Sequence, residues 1–182
     1  MGFDGPANLL EWILLASGLA AFVVMGLGLQ KFFVTPARHE RLAILFQESA
    51  IAVAVMHCVG IITRRSPGEA WAVAGIALYL LALVLFLAAM ESTHGVMLPR
   101  AFADSEDSAQ LMVAGVFRFM RHPVYVSYSL AWLAAPIATH SPTLWVTAVV
   151  MVTLHIVAAR RHDALLAARF GEEYRAYRRW WR

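Results

Sequence analysis

The chain has 182 residues, of which 60% are hydrophobic and only 15% are charged, and its formal net charge is +3. A soluble domain of this size is about half apolar, so the composition argues against a soluble protein and indicates a membrane protein. The basic residues flank apolar segments and form no separate basic region. Anionic membrane lipids are therefore the expected partners, and nucleic acid is not.

Three long apolar segments occupy the first half of the chain, at residues 9–29, 42–62 and 70–90. Each contains 21 residues, which as a helix would span the roughly 30 Å hydrocarbon core of a bilayer. The first segment lacks the basic flank and the cleavage site of a signal peptide. We therefore predict three transmembrane helices within residues 1–90.

Two shorter apolar segments follow, at residues 124–139 and 143–159, and only a few residues separate them. This spacing predicts an antiparallel helical hairpin whose second helix begins at Pro142. From Arg160 onward a stripe of apolar residues recurs at three- and four-residue steps, and its members are Leu166, Phe170, Tyr174, Tyr177 and Trp181. This pattern is typical of an amphipathic helix that lies at a membrane surface.

The predicted fold is thus an all-α integral membrane protein with about five transmembrane helices, a terminal hairpin and a C-terminal amphipathic helix, in one domain over residues 1–182. The loops that would share a side with the C-terminus hold 13 of the 15 lysines and arginines, and Arg64 and Arg65 lie on the other side. The positive-inside rule then places the C-terminus in the cytoplasm. We expect a multi-pass protein of a bacterial-type inner membrane.

A charged corner, Arg121-His122-Pro123, precedes the first hairpin helix. Pro123 favours the first turn of a helix, so His122 is expected at the N-cap, beside unpaired backbone N–H groups that suit a carboxylate or phosphate. Tyr125 offers a ring to a base or a cation. In a purely structural interpretation, Arg121 reaches lipid head groups, His122 caps the helix and Tyr125 belongs to an aromatic belt.

Two stretches, GVFRFMRHPVY at residues 115–125 and FGEEYRAYRRWWR at residues 170–182, flank the hairpin. Together they resemble the integral membrane methyltransferase family of isoprenylcysteine carboxyl methyltransferase and phospholipid N-methyltransferase. That family shows G-x-Y-x-x-x-R-H-P-x-Y, a helical hairpin, and then E-E-x-x-L followed by F-G-x-x-Y-x-x-Y. The similarity covers about residues 108–182, so residues 91–182 are expected to form the cofactor-binding region.

The resemblance implies an S-adenosylmethionine site on the cytoplasmic side, closed by the C-terminal segment. Carried over by position, Arg121 and Asp163 would be the catalytic residues. The residues that would contact the cofactor are Leu111, Met112, Gly115, Phe117, Arg121, His122, Tyr125, Asp163, Tyr174 and Tyr177. The chain also departs from the family pattern, because Phe117 stands in place of a tyrosine and His162-Asp163 stands in place of the glutamate pair.

Ionisable residues inside or beside apolar segments are further candidates, because their burial in a membrane is costly. Glu48 lies in the second segment and Glu91 follows the third, and both are candidates for the substrate route. His57 and His155 are expected to be hydrogen-bonded residues of helix packing. The sequence contains no His-x-x-x-His pair, cysteine cluster or ladder of paired carboxylates, so no metal site is predicted.

The function expected from this resemblance is methyl transfer from S-adenosylmethionine to a lipophilic small molecule or lipid-linked acceptor, such as an isoprenylcysteine carboxylate or a lipid. An alternative is an NADPH-dependent membrane sterol or enone reductase, a class that shares an HPxY corner and an aspartate in the tail helix. A second alternative is a non-catalytic relative that keeps the fold. The sequence leaves the oligomeric state open.

Overall fold

The computed structural model describes residues 8–34, 41–64, 66–99, 101–102 and 111–179. Within these ranges the regular secondary structure consists of α-helices and a short 3₁₀ turn at Gly115–Arg118, with one isolated bridge between Phe33 and Leu98. The five α-helices are α1 Leu9–Phe32, α2 Arg41–Thr63, α3 Glu69–Glu91, α4 Pro123–Thr139 and α5 Pro142–Arg179. Four of the arginines counted on the two sides lie outside the described residues, namely Arg38, Arg65, Arg100 and Arg182.

The helices agree with the predicted apolar segments to within a few residues at most ends. Four of them, α1, α2, α3 and α5, are long and apolar enough to cross a membrane. The remaining helix, α4, has 17 residues, a length of about 26 Å, and lies against α3 and α5. The structure therefore supports an all-helical membrane protein in which α4 is the short, buried member of the hairpin.

Small residues let the helices approach one another closely in the bundle. A Cβ added at Gly28 of α1 would lie 2.4 Å from the Phe86 ring of α3, and one at Gly75 of α3 would lie 2.6 Å from the Ala138 side chain of α4. Such contacts are typical of helix packing in lipid, where van der Waals fit replaces hydrophobic burial. The outward surfaces carry exposed apolar side chains that suit lipid, among them Leu19, Val23, Leu27, Leu45, Val55, Val84 and Leu87.

Consecutive helices run in opposite directions, and hydrogen bonds hold both ends of the bundle. At one end, the backbone around Phe33 pairs with Leu98 after α3, with Val34 N donating to Leu98 O at 2.9 Å. At the other end, the Ser66 amide donates to Glu11 Oε1 at 3.2 Å. The end that carries Phe33 and Leu98 also holds the start of α4, so the Arg121–His122 corner lies there.

The C-terminal part of the chain, which we call the tail, differs from the predicted separate amphipathic helix that begins near Arg160. No break separates a membrane helix from a second helix near Arg160, because the residues up to Phe170 are good helix formers without Gly or Pro. The break occurs at Gly171, which has φ 50° and ψ −114°. On both sides of this break the predicted stripe faces inward: Leu166 and Tyr174 are buried, and Leu111, Phe170 and Tyr177 pack against them. Trp181 lies outside the described residues.

Candidate functional site

The Arg121–His122 corner is held by a carboxylate from α5. His122 is the N-cap residue of α4 with Pro123 at the first helical position, as the sequence predicts. Its side chain caps nothing, so that part of the purely structural interpretation is wrong. The His122 ring lies instead with Nε2 2.8 Å from Asp163 Oδ1, because the charged carboxylate is the stronger partner.

Asp163 has three partners, which together form what we call the Asp163 cluster. Arg121 Nη1 donates to Oδ2 at 3.2 Å, and the Tyr174 hydroxyl joins His122 on Oδ1. Asp163 lies beyond the apolar part of α5, and its side chain is 22% exposed. Burial alone would raise the pKa of Asp163, but hydrogen bonds from His122 and Tyr174 and the charge of Arg121 lower it to about 2. The carboxylate is therefore ionised at neutral pH.

The reversal of the chain at Gly171 brings the tail back over the corner. Beyond the break, the Tyr177 hydroxyl donates to the Phe117 carbonyl oxygen of the 3₁₀ turn. Leu166 and Leu111 pack in the same small apolar cluster. Two tyrosines thus tie the end of α5 to the segment that precedes α4.

The 3₁₀ turn itself rests on Ser92 at the end of α3. Ser92 Oγ donates to the Ala88 carbonyl at 2.6 Å and accepts from the Val116 amide at 3.2 Å. Gly115 has φ +57°, and a Cβ there would lie 2.0 Å from Ser92 Oγ. Only glycine allows this approach without displacement, so Gly115 sets the position of Phe117 relative to the cluster.

Three adjoining cavities extend from this corner into the bundle. The tail cavity, about 30 Å³, and the corner cavity, about 40 Å³, share Arg121, His122 and His162 in their walls. A larger cavity of about 100 Å³, which we call the membrane cavity, lies between α1, α2, α4 and α5 and shares Phe33, Val124 and Tyr125 with the corner cavity. The corner cavity therefore lies between the tail cavity and the apolar membrane cavity, and Arg121 and His122 of the Asp163 cluster are in its wall.

Most of the predicted cofactor residues come together here. The tail cavity is lined by Leu111, Met112, Phe117, Arg121, His122, Tyr174 and Tyr177, among others. Tyr125 lines the corner cavity, while Gly115 packs against Ser92. Glu48 and Glu91 are exposed and line none of the three cavities. The structure does not bring these two to the cluster, and their role in a substrate route stays a prediction.

The two intramembrane histidines differ. His57 Nε2 lies 2.9 Å from Thr147 Oγ1, as expected of a packing residue. His155 stacks on Tyr128 and lines the membrane cavity, but its Nδ1 has no hydrogen-bond partner among the described residues. Sequence reasoning missed this distinction, and it also missed Trp132 in the same wall. The available signal was a histidine within an apolar segment, which by itself does not reveal which way the ring faces.

A model of the phospholipid methyltransferase family matches residues 70–173. This range is more than half of the chain and includes α3, α4, the Arg121–His122 corner and Asp163. The chain belongs to this family. Searches of curated proteins and of solved structures found no match.

Membership in the phospholipid methyltransferase family implies a membrane methyltransferase that acts on lipid-like substrates. It does not favour the reductase alternative. Tyr174 and Tyr177 lie just beyond the matched range, so their contacts with Asp163 and Phe117 extend the site into the last turns of this family member.

Proposed function

We propose that this chain transfers a methyl group from S-adenosylmethionine to a lipophilic acceptor held within the membrane, either a lipid or an isoprenylcysteine carboxylate-like molecule. The observation that carries the proposal is the Asp163 cluster. Its carboxylate is held by Arg121, His122 and Tyr174. Arg121 and His122 line both the tail cavity and the corner cavity, Tyr174 lines the tail cavity, and the corner cavity adjoins the apolar membrane cavity.

The residues at this corner fit the cofactor by their chemistry. The Asp163 carboxylate suits ribose hydroxyls or an amino group, and Arg121 together with the free amides at the start of α4 suits a carboxylate. The rings of Phe117, Tyr174 and Tyr177 suit a cation. His162 also lines the tail cavity, and its Nε2 is buried without a hydrogen-bond partner among the described residues.

When bound, the cofactor supplies an electrophilic methyl group carried on a sulfonium. The protein then needs to align the two reactants and exclude water, because a methyl displacement requires no protein nucleophile. Arg121 and Asp163 would fix the cofactor, Tyr125 would stand between the corner cavity and the membrane cavity, and the tail from Gly171 would cover the corner from water.

We further propose that the site faces the cytoplasm. In the topology predicted from the sequence, the loops on its side hold 13 of the 15 lysines and arginines, which are the residues that orient membrane proteins. A cytoplasmic site also has access to a soluble cofactor, while the acceptor reaches it laterally from the lipid.

The direct test is a transfer assay. Purified protein in phosphatidylethanolamine-containing nanodiscs is mixed with methyl-labelled S-adenosylmethionine and a total membrane lipid extract, and label is measured in the organic phase. Labelled lipid from wild type but not from the Arg121→Gln variant supports the proposal. NADPH-dependent reduction of lipid, without methyl incorporation, would favour the reductase class instead.

A further inference from the structure

The segment that joins α3 to α4 carries one buried and one exposed phenylalanine at the 3₁₀ turn. Phe117 is 7% exposed, and its carbonyl oxygen accepts the hydrogen bond from Tyr177. Phe119, two residues later, is 72% exposed, more than the 64% of Val84 on the outward surface of α3. The segment thus presents most of an aromatic ring to its surroundings, while Phe117 belongs to the candidate site.

Hydrogen bonds hold this segment at the end of α3. The Val116 amide donates to Ser92 Oγ at 3.2 Å, and Ser92 is the C-cap residue of α3. The Phe119 amide in turn donates to the Val116 carbonyl oxygen at 3.0 Å. Four residues after Phe119, Pro123 begins α4. The backbone of Phe119 is therefore fixed near two helix ends at once.

The length of α3 gives the depth of this segment in the membrane. Residues 70–90 carry no charge, and Glu69 and Glu91 stand at their two ends. As a helix this stretch measures about 31 Å, close to the roughly 30 Å thickness of the hydrocarbon core. Glu91 and Ser92 therefore lie at the boundary between acyl chains and lipid head groups, and the contacts with Ser92 hold Phe119 close to the same level.

The residue types at the turn suit this boundary. Aromatic rings are favoured where acyl chains meet head groups. Arg118, which precedes Phe119, is exposed, and an arginine can lay its apolar stem along lipid while its guanidinium reaches the phosphates. In water the Phe119 ring would forgo the favourable free energy of burial. Lipid is thus the partner that fits the exposed ring.

From this arrangement we infer that the 3₁₀ turn with Phe119 is an interfacial membrane anchor, in which the Phe119 ring inserts between the head groups and the upper acyl chains. The turn also carries Phe117, which lines both the corner cavity and the tail cavity. Insertion of Phe119 therefore holds these two cavities at head-group depth. The consequence for the methyl acceptor, whose reacting group would meet the site at this depth, rests on the proposed function; the anchor itself does not.

The depth of Phe119 can be measured with a nitroxide label. Cys58 is the only cysteine of the chain, so Cys58→Ala protein is a background for Phe119→Cys. The labelled protein is placed in nanodiscs of phosphatidylcholine and phosphatidylglycerol, and electron paramagnetic resonance measures collisions with oxygen, which is enriched among acyl chains, and with a water-soluble nickel complex. We expect the label at 119 to favour oxygen.

Two further labelled positions calibrate the depth. Val84→Cys lies seven residues before Glu91 in α3, about 10 Å deeper in the core, and should favour oxygen more strongly. Glu172→Cys replaces a side chain that is 78% exposed on the tail and should favour the nickel complex. The ratio of oxygen to nickel collisions at 119 should fall between these two values.

A second measurement uses the wild-type chain and does not depend on the folding of a variant. Phosphatidylcholine that carries a diazirine beside the glycerol is compared with phosphatidylcholine that carries it at the end of the acyl chain, and the labelled peptides are identified by mass spectrometry. The peptide that contains Phe119 should take up several-fold more label from the first lipid. The peptide that contains Val84 is the control and should prefer the second.

A label at 119 that meets the nickel complex as freely as the label at 172 does, or that neither reagent reaches, would overturn the proposal. So would a depth equal to that of Val84, or a Phe119 peptide that neither lipid labels. S-adenosylhomocysteine binding to wild-type protein separates this failure from that of the proposed function. Normal binding with Phe119 in water rejects the anchor alone, whereas absent binding with Phe119 at the boundary rejects the proposed cofactor site alone.

Discussion

The Tyr174 hydroxyl donates a hydrogen bond to Oδ1 of Asp163, eleven residues earlier in α5. In an uninterrupted helix these residues would be about 16 Å apart along the axis, which is beyond the reach of a tyrosine side chain. The contact exists because the chain reverses at Gly171. One glycine thus joins the tail to the carboxylate that organises the candidate site.

Gly171→Ala should release the tail. The backbone at Gly171 is strained for any residue with a Cβ, by about 1–3 kcal/mol, although no atom lies within 4 Å of the position. We expect amide hydrogen exchange over residues 172–179 to accelerate roughly tenfold. Gly26→Ala is the control, since Gly26 also has open space but lies within the helix α1. Equal protection in both variants would show that the reversal does not depend on glycine.

Gly115→Ala should disturb the corner more than a comparable glycine change elsewhere. The added Cβ meets Ser92 Oγ at 2.0 Å, so overpacking adds to backbone strain, for a total of about 2–5 kcal/mol. Gly95→Ala is the comparison, because Gly95 has φ +84° with nothing within 4 Å of an added Cβ. This variant should lose stability through backbone strain alone, by about 1–2 kcal/mol. Thermal unfolding in detergent compares the two, and equal melting temperatures would contradict the assigned role of Ser92.

Much of the fold was predictable because lipid imposes strong constraints on length and composition. Residues 70–90 were predicted as a helix and α3 is Glu69–Glu91. Pro142 begins α5 as expected from its preference for the first turn. The reversal at Gly171 was missed because the apolar stripe continues through it, and periodicity does not register a single residue with positive φ.

The site was predictable from resemblance and not from periodicity. The proximity of Arg121 and Asp163, 42 residues apart in sequence, depends on how α4 and α5 pack. The positions of His155 and Trp132 in the wall of the membrane cavity depend on the rotation of each helix about its axis, and the sequence alone does not determine that rotation. Glu48 illustrates the same limit, because its neighbour Gln47 lines the membrane cavity while Glu48 is exposed.

The orientation of the bundle gives a topological prediction. Because the topology predicted from the sequence puts 13 basic residues on the side of the C-terminus and two on the other, the C-terminus should be cytoplasmic. A C-terminal fluorescent reporter that matures only in the cytoplasm should be bright, and a phosphatase reporter that requires export should be inactive. The opposite pair of signals would contradict the proposed orientation and would place the site on the outer face of the membrane.

His122→Ala and Tyr125→Ala should weaken S-adenosylhomocysteine binding without reducing the yield of folded protein. His122 contacts the Asp163 carboxylate, and Tyr125 lines the corner cavity. Size-exclusion chromatography reports folding, and calorimetry reports affinity. Unchanged affinity together with lost folding would return the corner to a purely structural role.

The most direct test of the central claim is calorimetric titration of S-adenosylhomocysteine into Asp163→Asn protein in detergent. Charge-assisted hydrogen bonds contribute about 1.5–3 kcal/mol each, so we expect affinity to fall about 10- to 150-fold. Glu172→Gln is the matched control, because Glu172 pairs with Arg175 on the same tail but its side chain is 78% exposed; its affinity should stay as in wild type. If Asp163→Asn protein binds S-adenosylhomocysteine as tightly as wild type does, the carboxylate is structural and the proposed cofactor site is wrong.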